Sequence, residues 1–249
     1  MIRSLTHSRT KVRDTIFNPM LRETYRRYLP HIMPIGACFF VTFRLTGSLS
    51  KEILDQMAAK REVDFERILL ERDLSEIEKE QRFYAVERQY WIVFNETLDT
   101  TQDGVHHLRT PELAQIVADR LLEFDGKYYK LCAYVVMSNH VHALLDFAVQ
   151  LPSDGKSIAD EKNYKQLDKV MQLIKGGSSK YCNDWFRQRN LEPALPFWVE
   201  ESYDRYIRNT KHFENTVNYI TSNPVKIGLC KEWRDYPFCY VAPNLYHGL

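Results

Sequence analysis

The stretch Tyr128-Tyr-Lys-Leu-Cys-Ala-Tyr-Val-Val-Met137, Ser138-Asn139, His140-Val-His-Ala-Leu-Leu-Asp-Phe147 decides how this chain folds. Two runs rich in aromatic and β-branched residues flank a short polar break, the pattern of two strands joined as a hairpin. On the second run side chains alternate, so His140 and His142 face one way while Val141, Ala143 and Leu145 face the other. Two imidazoles on one face are a ready pair of metal ligands. The same pair also occurs as two polar residues at a sheet margin, and the spacing alone leaves both readings open.

Outward from the hairpin, Cys38 to Leu45 reads as a strand bounded by Gly36 and Gly47. Ser50 to about Glu96 contains neither Pro nor Gly and places apolar residues at helical spacing, which predicts one or two long surface helices. Thr110-Pro111-Glu112 opens a helix that Gly126 stops. A polar loop from Leu151 to Lys162 leads to a helix over Tyr164 to Lys175. Gly176-Gly177 is expected to break or kink it before it resumes over Ser178 to Gln188. Phe197 to Ile207 is extended, and a last helix runs from Lys211 to about Asn223, where Pro224 ends it. This order predicts an α+β fold, a ferredoxin-like antiparallel sheet with helices on one face. The expected organisation is one domain over 1–249 with a charged, mainly helical insertion at 48–108.

With 44% hydrophobic and 13% aromatic residues, the 249-residue chain can build a real core, which excludes a disordered protein. No run approaches the roughly 18 apolar residues of a membrane span. The polar, basic start from Met1 to Lys11 lacks a secretory signal. Five scattered cysteines without a CxxC argue for a reducing compartment, so a soluble cytoplasmic protein is expected. The net charge of +1 hides an asymmetry. Residues 51 to 103 carry fourteen Asp and Glu against eight Lys and Arg, a local −6 that leaves +7 on the rest. A basic body with an acidic insertion suits a phosphate-bearing partner.

On the last helix Phe213, Val217 and Ile220 form a core stripe, while His212, Tyr219 and Asn223 share a separate face. Tyr219 and Asn223, one turn apart, can present a phenol and an amide side by side. Spacing alone does not choose Tyr219 among fifteen tyrosines. Tyr181, beyond Gly176-Gly177, is a weaker nucleophile because it has no ligand one turn away. His106-His107 is expected at the surface, since adjacent strand residues diverge.

Four ordered motifs resemble one family. The run Ala133-Tyr-Val-Val-Met-Ser-Asn-His-Val-His-Ala-Leu-Leu145 resembles the HUH motif of single-tyrosine transposases, and specifically the REP-associated tyrosine transposases. Tyr25-Arg-Arg followed by Phe39-Phe-Val-Thr-Phe-Arg44 is similar to that family's first strand and its approach. Tyr206-Ile-Arg-Asn-Thr-Lys211 with Tyr219-Ile-Thr-Ser-Asn-Pro-Val-Lys226 is similar to its catalytic helix, and Trp233-Arg-Asp-Tyr-Pro-Phe238 to its closing segment. The resemblance spans nearly all of the chain except residues 48 to 108. It departs at Ser138, where the family usually has proline. It implies His140 and His142 as metal ligands, Asn223 as a third ligand, Mg²⁺ or Mn²⁺ as the metal, and Tyr219 as the nucleophile. The nucleophile would become joined to a 5′-phosphate of a hairpin-forming DNA repeat.

Single-stranded or hairpin DNA is therefore the expected partner, with exposed bases and backbone available to cations and aromatics. Candidate phosphate contacts are Arg9, Lys11, Arg13, Arg26 and Arg27 in the N-terminal arm. Arg44, Lys175, Lys180, Arg187, Arg208 and Lys211 are further candidates. A competing reading is a domesticated, non-catalytic DNA- or RNA-binding regulator with the same fold, and a third is a metallohydrolase of small phosphodiesters. Monomer and homodimer both stay open.

Overall fold

A computed structural model describes residues 33–152 and 164–245. The arm residues Arg9, Lys11, Arg13, Arg26 and Arg27 lie outside the described residues, as does most of the loop expected at Leu151 to Lys162. The elements in chain order are β1 (Cys38–Arg44), α1 (Lys51–Leu70), α2 (Glu76–Thr100), α3 (Pro111–Leu122), β2 (Lys130–Val136), β3 (His140–Asp146), α4 (Leu167–Gln188), β4 (Tyr203–Tyr206), α5 (Thr210–Lys226) and β5 (Cys239–Val241). The strands form one antiparallel sheet in the order β4-β1-β3-β2-β5.

The α+β antiparallel architecture is the one expected, and β3, the strand carrying both histidines, is its centre. The helices, however, lie on both faces rather than one. Phe39, Val41 and Phe43 of β1 and Val141, Ala143 and Leu145 of β3 are buried against α3 and α4. Phe40 and Leu144 are buried against Val217 and Ile220 of α5 on the opposite face. Both sides of the central strands carry buried apolar residues, so each needs a cover; a fully buried Leu or Phe contributes roughly 1.5–3 kcal/mol. The pairing of β2 with β3 shifts between Leu131 and Ala133. The extra residue, Cys132, joins Ala133 on the α5 side and returns Leu131 to the α3–α4 core.

Two predicted helix ends differ. The helix α4 runs unbroken through Gly176 and Gly177. A Cβ at Gly177 would collide with the Arg120 guanidinium, which reaches across from α3 to donate to the Leu173 carbonyl through Nε and Nη2 at 3.1 and 3.0 Å. That glycine makes room for an interhelix contact. Pro224 sits inside α5, which continues to Lys226. So near the end a proline forfeits one backbone bond without stopping the helix, and the Ile227 N–H still donates to the Asn223 carbonyl at 3.3 Å.

The expected helical insertion is a hairpin of two long helices. Ser50 caps α1, and Ser75 with Glu78 forms a capping box on α2. Phe65 meets Phe83 edge to face at 5.2 Å, and Arg61 pairs with Glu87 at 3.6 Å across the two helices. One face of α2 carries Tyr84, Arg88, Trp91, Asn95 and Asp99 at helical spacing. That face lies over the histidine side of the sheet, where Trp91 packs on Phe40, Tyr203 and Tyr219 at 5.6, 6.0 and 5.6 Å between ring centres. No helix among the described residues is long and apolar enough to cross a membrane.

Candidate metal and nucleophile site

Strand alternation on β3 aims His140 and His142 at the α5 face, and both are fully buried. Their Nε2 atoms stand 3.0 Å apart. Asp99, in the last turn of α2, places Oδ1 3.2 Å from His140 Nε2. The three ligand atoms lie within 4.8 Å of one another.

Each imidazole is held from behind. Asn139 accepts from His140 Nδ1 through Oδ1 at 2.7 Å and donates through Nδ2 to the Leu98 carbonyl at 3.1 Å. The carbonyl fixes which way the amide points, because an oxygen turned toward it would meet another acceptor. Nδ1 of His140 therefore carries a hydrogen, which leaves Nε2 as the ring atom a ligand would take. Leu98 is also one of the four terminal α2 residues whose carbonyls lack a helical partner. Asn139 thus closes α2 and sets the tautomer of His140 together. Thr42, paired directly opposite on β1, places Oγ1 2.8 Å from His142 Nδ1 and can accept its N–H in the same way.

Burial, and then the neighbouring His140, hold His142 well below the usual imidazole range, so this ring is neutral at physiological pH. Two imidazole nitrogens and a carboxylate oxygen converge in a buried space, a donor set that a cation would bring into balance. Ligands at right angles around a metal at about 2.1 Å sit about 3.0 Å apart, close to the spacings found. The donor set fits a divalent cation.

The aromatic ring of Tyr219 lies 5.2 Å from that of His142, and Phe40 stacks on the same imidazole at 5.5 Å. The Tyr219 Oη and both amide atoms of Asn223 are buried and lack a well-formed hydrogen bond. Buried polar groups are almost always satisfied, so a phenol and an amide without well-formed hydrogen bonds, close to the Asp99 carboxylate, mark a place that suits a ligand. Burial pushes the Tyr219 phenol up from its ordinary value and the Asp99 carboxylate adds to this, while the nearby Asn223 amide opposes it. As it stands, the phenol is protonated at neutral pH.

The sequence reading therefore places His140, His142, Tyr219 and Asn223 in one region, but it missed Asp99. A signal existed. The last turn of α2 contains this acid and no basic residue, which the helix dipole disfavours unless a cation compensates. The other candidates scatter. Arg44 donates to Ser48 at 3.1 Å and lies under Phe94 of α2. Lys175 is engaged by the Glu200 carbonyl and Ser202. Lys180 and Arg187 are carried by α4, on the face away from the histidines, and Arg187 pairs with Asp184 at 2.7 Å. Arg208 and Lys211 are exposed at the start of α5, on the histidine side. Tyr181 is half exposed on α4. The pair His106-His107 is partly buried rather than at the surface: His106 bonds Ser138 at 2.8 Å, and His107 stacks on Phe197.

The class defined by this arrangement is an α+β sandwich whose central strand carries a His-x-His metal-type centre facing a helix-borne tyrosine and asparagine. No family model matches the chain. The chain is similar to a curated protein of Haemophilus influenzae named "Putative REP-associated tyrosine transposase". The identity is 25% over 130 residues, which cover 49% of this chain and 69% of that protein. A solved structure of a REP-associated tyrosine transposase bound to a REP hairpin is also similar. Its TM-score is 0.43 at 19% identity, covering 86% of this chain and 80% of the other.

Proposed function

We propose that this chain is a metal-dependent single-tyrosine nuclease and strand transferase of the REP-associated tyrosine transposase kind, acting on single-stranded or hairpin DNA. The observation that carries the reading is the convergence of His140 Nε2, His142 Nε2 and Asp99 Oδ1 beside a buried, unpartnered Tyr219 Oη. The name of the curated relative agrees with it.

His140, His142 and Asp99 would hold the cation, with Asn223 available as a further oxygen ligand. A bound Mg²⁺ or Mn²⁺ would supply positive charge against a phosphate oxygen and offset the field of Asp99 on the phenol. Tyr219 is the nucleophile: its Oη forms a bond to phosphorus while the bond to the 3′-oxygen breaks. The phenolic proton ends on the released 3′-hydroxyl, leaving a 5′-phosphotyrosine. Attack by a 3′-hydroxyl reverses the step and rejoins strands with no other energy source. Asn139 and Thr42 keep both imidazoles aimed, and Phe40 and Trp91 wall the phenol from water.

A hairpin oligonucleotide labelled at its 3′ end tests this. With Mn²⁺, the label is expected to migrate with the protein on a denaturing gel, and Tyr219→Phe is expected to lose the adduct while still binding. An equal adduct in Tyr219→Phe, or cleavage without any adduct in the wild type, overturns the reading.

A further inference from the structure

The face shared by α2 and α5 continues beyond Tyr219. His212 precedes Tyr219 by two turns on the same side of α5, about 10 Å along the axis. Arg88 and Tyr84 precede Trp91 on the same side of α2. Arg205 projects onto this face from β4, as its pairing with Phe40 requires. Tyr84 receives two guanidiniums, Arg205 at 5.3 Å and Arg208 at 4.7 Å from its ring centre, and Arg205 also donates to its hydroxyl. Arg208 lies 5.2 Å from the Tyr206 ring as well.

Among the described residues no carboxylate is within ion-pair distance of Arg88, Arg205 or Arg208. Arg205 and Arg208 are held on aromatic faces rather than by acids, and Arg88 is exposed on the same side of α2, so the cluster keeps guanidinium N–H donors for something else. Their field is felt locally: after burial, Arg205, Arg208 and Arg88 are the causes that depress His212 to about 4. The cluster contrasts with the acidic remainder of the insertion, which supplies Arg88 and Tyr84.

We propose that Arg205 and Arg208, braced on Tyr84, together with Arg88 on the facing side of α2, form a clamp for backbone phosphates of a single DNA strand leading to Tyr219. The choice of DNA rests on the function proposed above. A guanidinium fork matches two phosphate oxygens. The clamp and the nucleophile share one side of α5, so a strand gripped there would run along the helix toward the imidazoles.

The test is fluorescence anisotropy with a labelled single-stranded oligonucleotide in EDTA, where binding is read without cleavage. Arg88→Gln with Arg208→Gln changes two exposed side chains and leaves the more enclosed Arg205 intact. Each phosphate contact on a single strand contributes about 0.7 to the slope of log affinity against log salt. The double variant is expected to lower that slope by about 1.4 and weaken binding about tenfold at 0.15 M salt. An unchanged slope overturns the clamp. So does an equal loss in Arg189→Gln, whose arginine stacks on Trp185 of α4, and so does a loss seen with RNA but not DNA. The covalent adduct is scored separately. Adduct formation with an unchanged slope removes the clamp and leaves the nuclease, whereas a lowered slope without adduct on any hairpin does the reverse.

Discussion

Replacing Asn139 by alanine strips two buried partners at once. The His140 Nδ1–H loses its acceptor at 2.7 Å, and the Leu98 carbonyl loses its donor at 3.1 Å. Leaving one buried polar group unsatisfied costs about 1–3 kcal/mol, so the pair should cost roughly 2–6 kcal/mol. That is a sizeable share of the about 5–15 kcal/mol that holds a domain folded. Freed of its acceptor, His140 can move its hydrogen to Nε2 and turn its ligand atom into a donor. Loss of such a supporting contact typically weakens metal binding about 10- to 100-fold. Urea unfolding followed by circular dichroism reads the first quantity, and calorimetric titration with Mn²⁺ reads the second. Asn139→Asp separates them. It keeps an acceptor for His140 but sets an oxygen against the Leu98 carbonyl, so stability should fall while metal affinity stays near wild type. A folded Asn139→Ala that binds Mn²⁺ as tightly as wild type would refute the tautomer argument, as would equal loss of affinity in both variants.

Asp99→Asn should weaken Mn²⁺ binding at least as much as loss of a supporting contact does, about 10-fold or more by calorimetry; undiminished affinity would show that α2 gives no ligand. Gly176→Ala meets nothing within 4 Å and should gain up to about 1 kcal/mol of helix stability in urea unfolding. Gly177→Ala must displace the Arg120 guanidinium from Leu173 and should be less stable than Gly176→Ala by about 1–3 kcal/mol. His212 has a folded value of about 4 against an ordinary 6.5. The unfolded chain therefore binds the extra proton between these values. Stability from this group is present above about pH 6.5 and lost as pH falls toward 4. His212→Gln should flatten the pH dependence of the melting temperature in that window, and an unchanged profile would remove His212 as a contributor.

Much of the sheet was legible because strand alternation and flanking turn residues act locally. The hairpin around Ser138-Asn139 and the strand after Gly36 follow from short-range patterns. The edge strands β4 and β5 are only four and three residues long, too short for a period to show, and they exist because neighbours offer unpaired edges. Helices were expected on one face only, although the consecutive apolar residues of Phe39-Phe40-Val41 point to opposite sides and both ask for a cover. Gly176-Gly177 read as a break because helix propensity is local, whereas Arg120 comes from another helix. Asp99 is forty-one residues before His140 and in an acid-rich segment, so only the packing of α2 across the sheet distinguishes it from its fellow acids. The His140-Val141-His142 pair was readable as a candidate; the Asn139 and Thr42 contacts behind it depend on tertiary placement.

Central placement of β3 has a consequence for the folding pathway. Its register is set on both edges at once, with Thr42 and Val135 both opposite His142. A slip of one residue would drive both imidazoles into the apolar layer under α3 and α4 and put Val141 and Ala143 where the ligands belong. A divalent cation could not rescue such a misthreaded sheet, because it would present no imidazole nitrogen to one. Correct threading is thus a precondition for assembling the site at all, and a half-assembled chain carries a tyrosine with no imidazoles facing it.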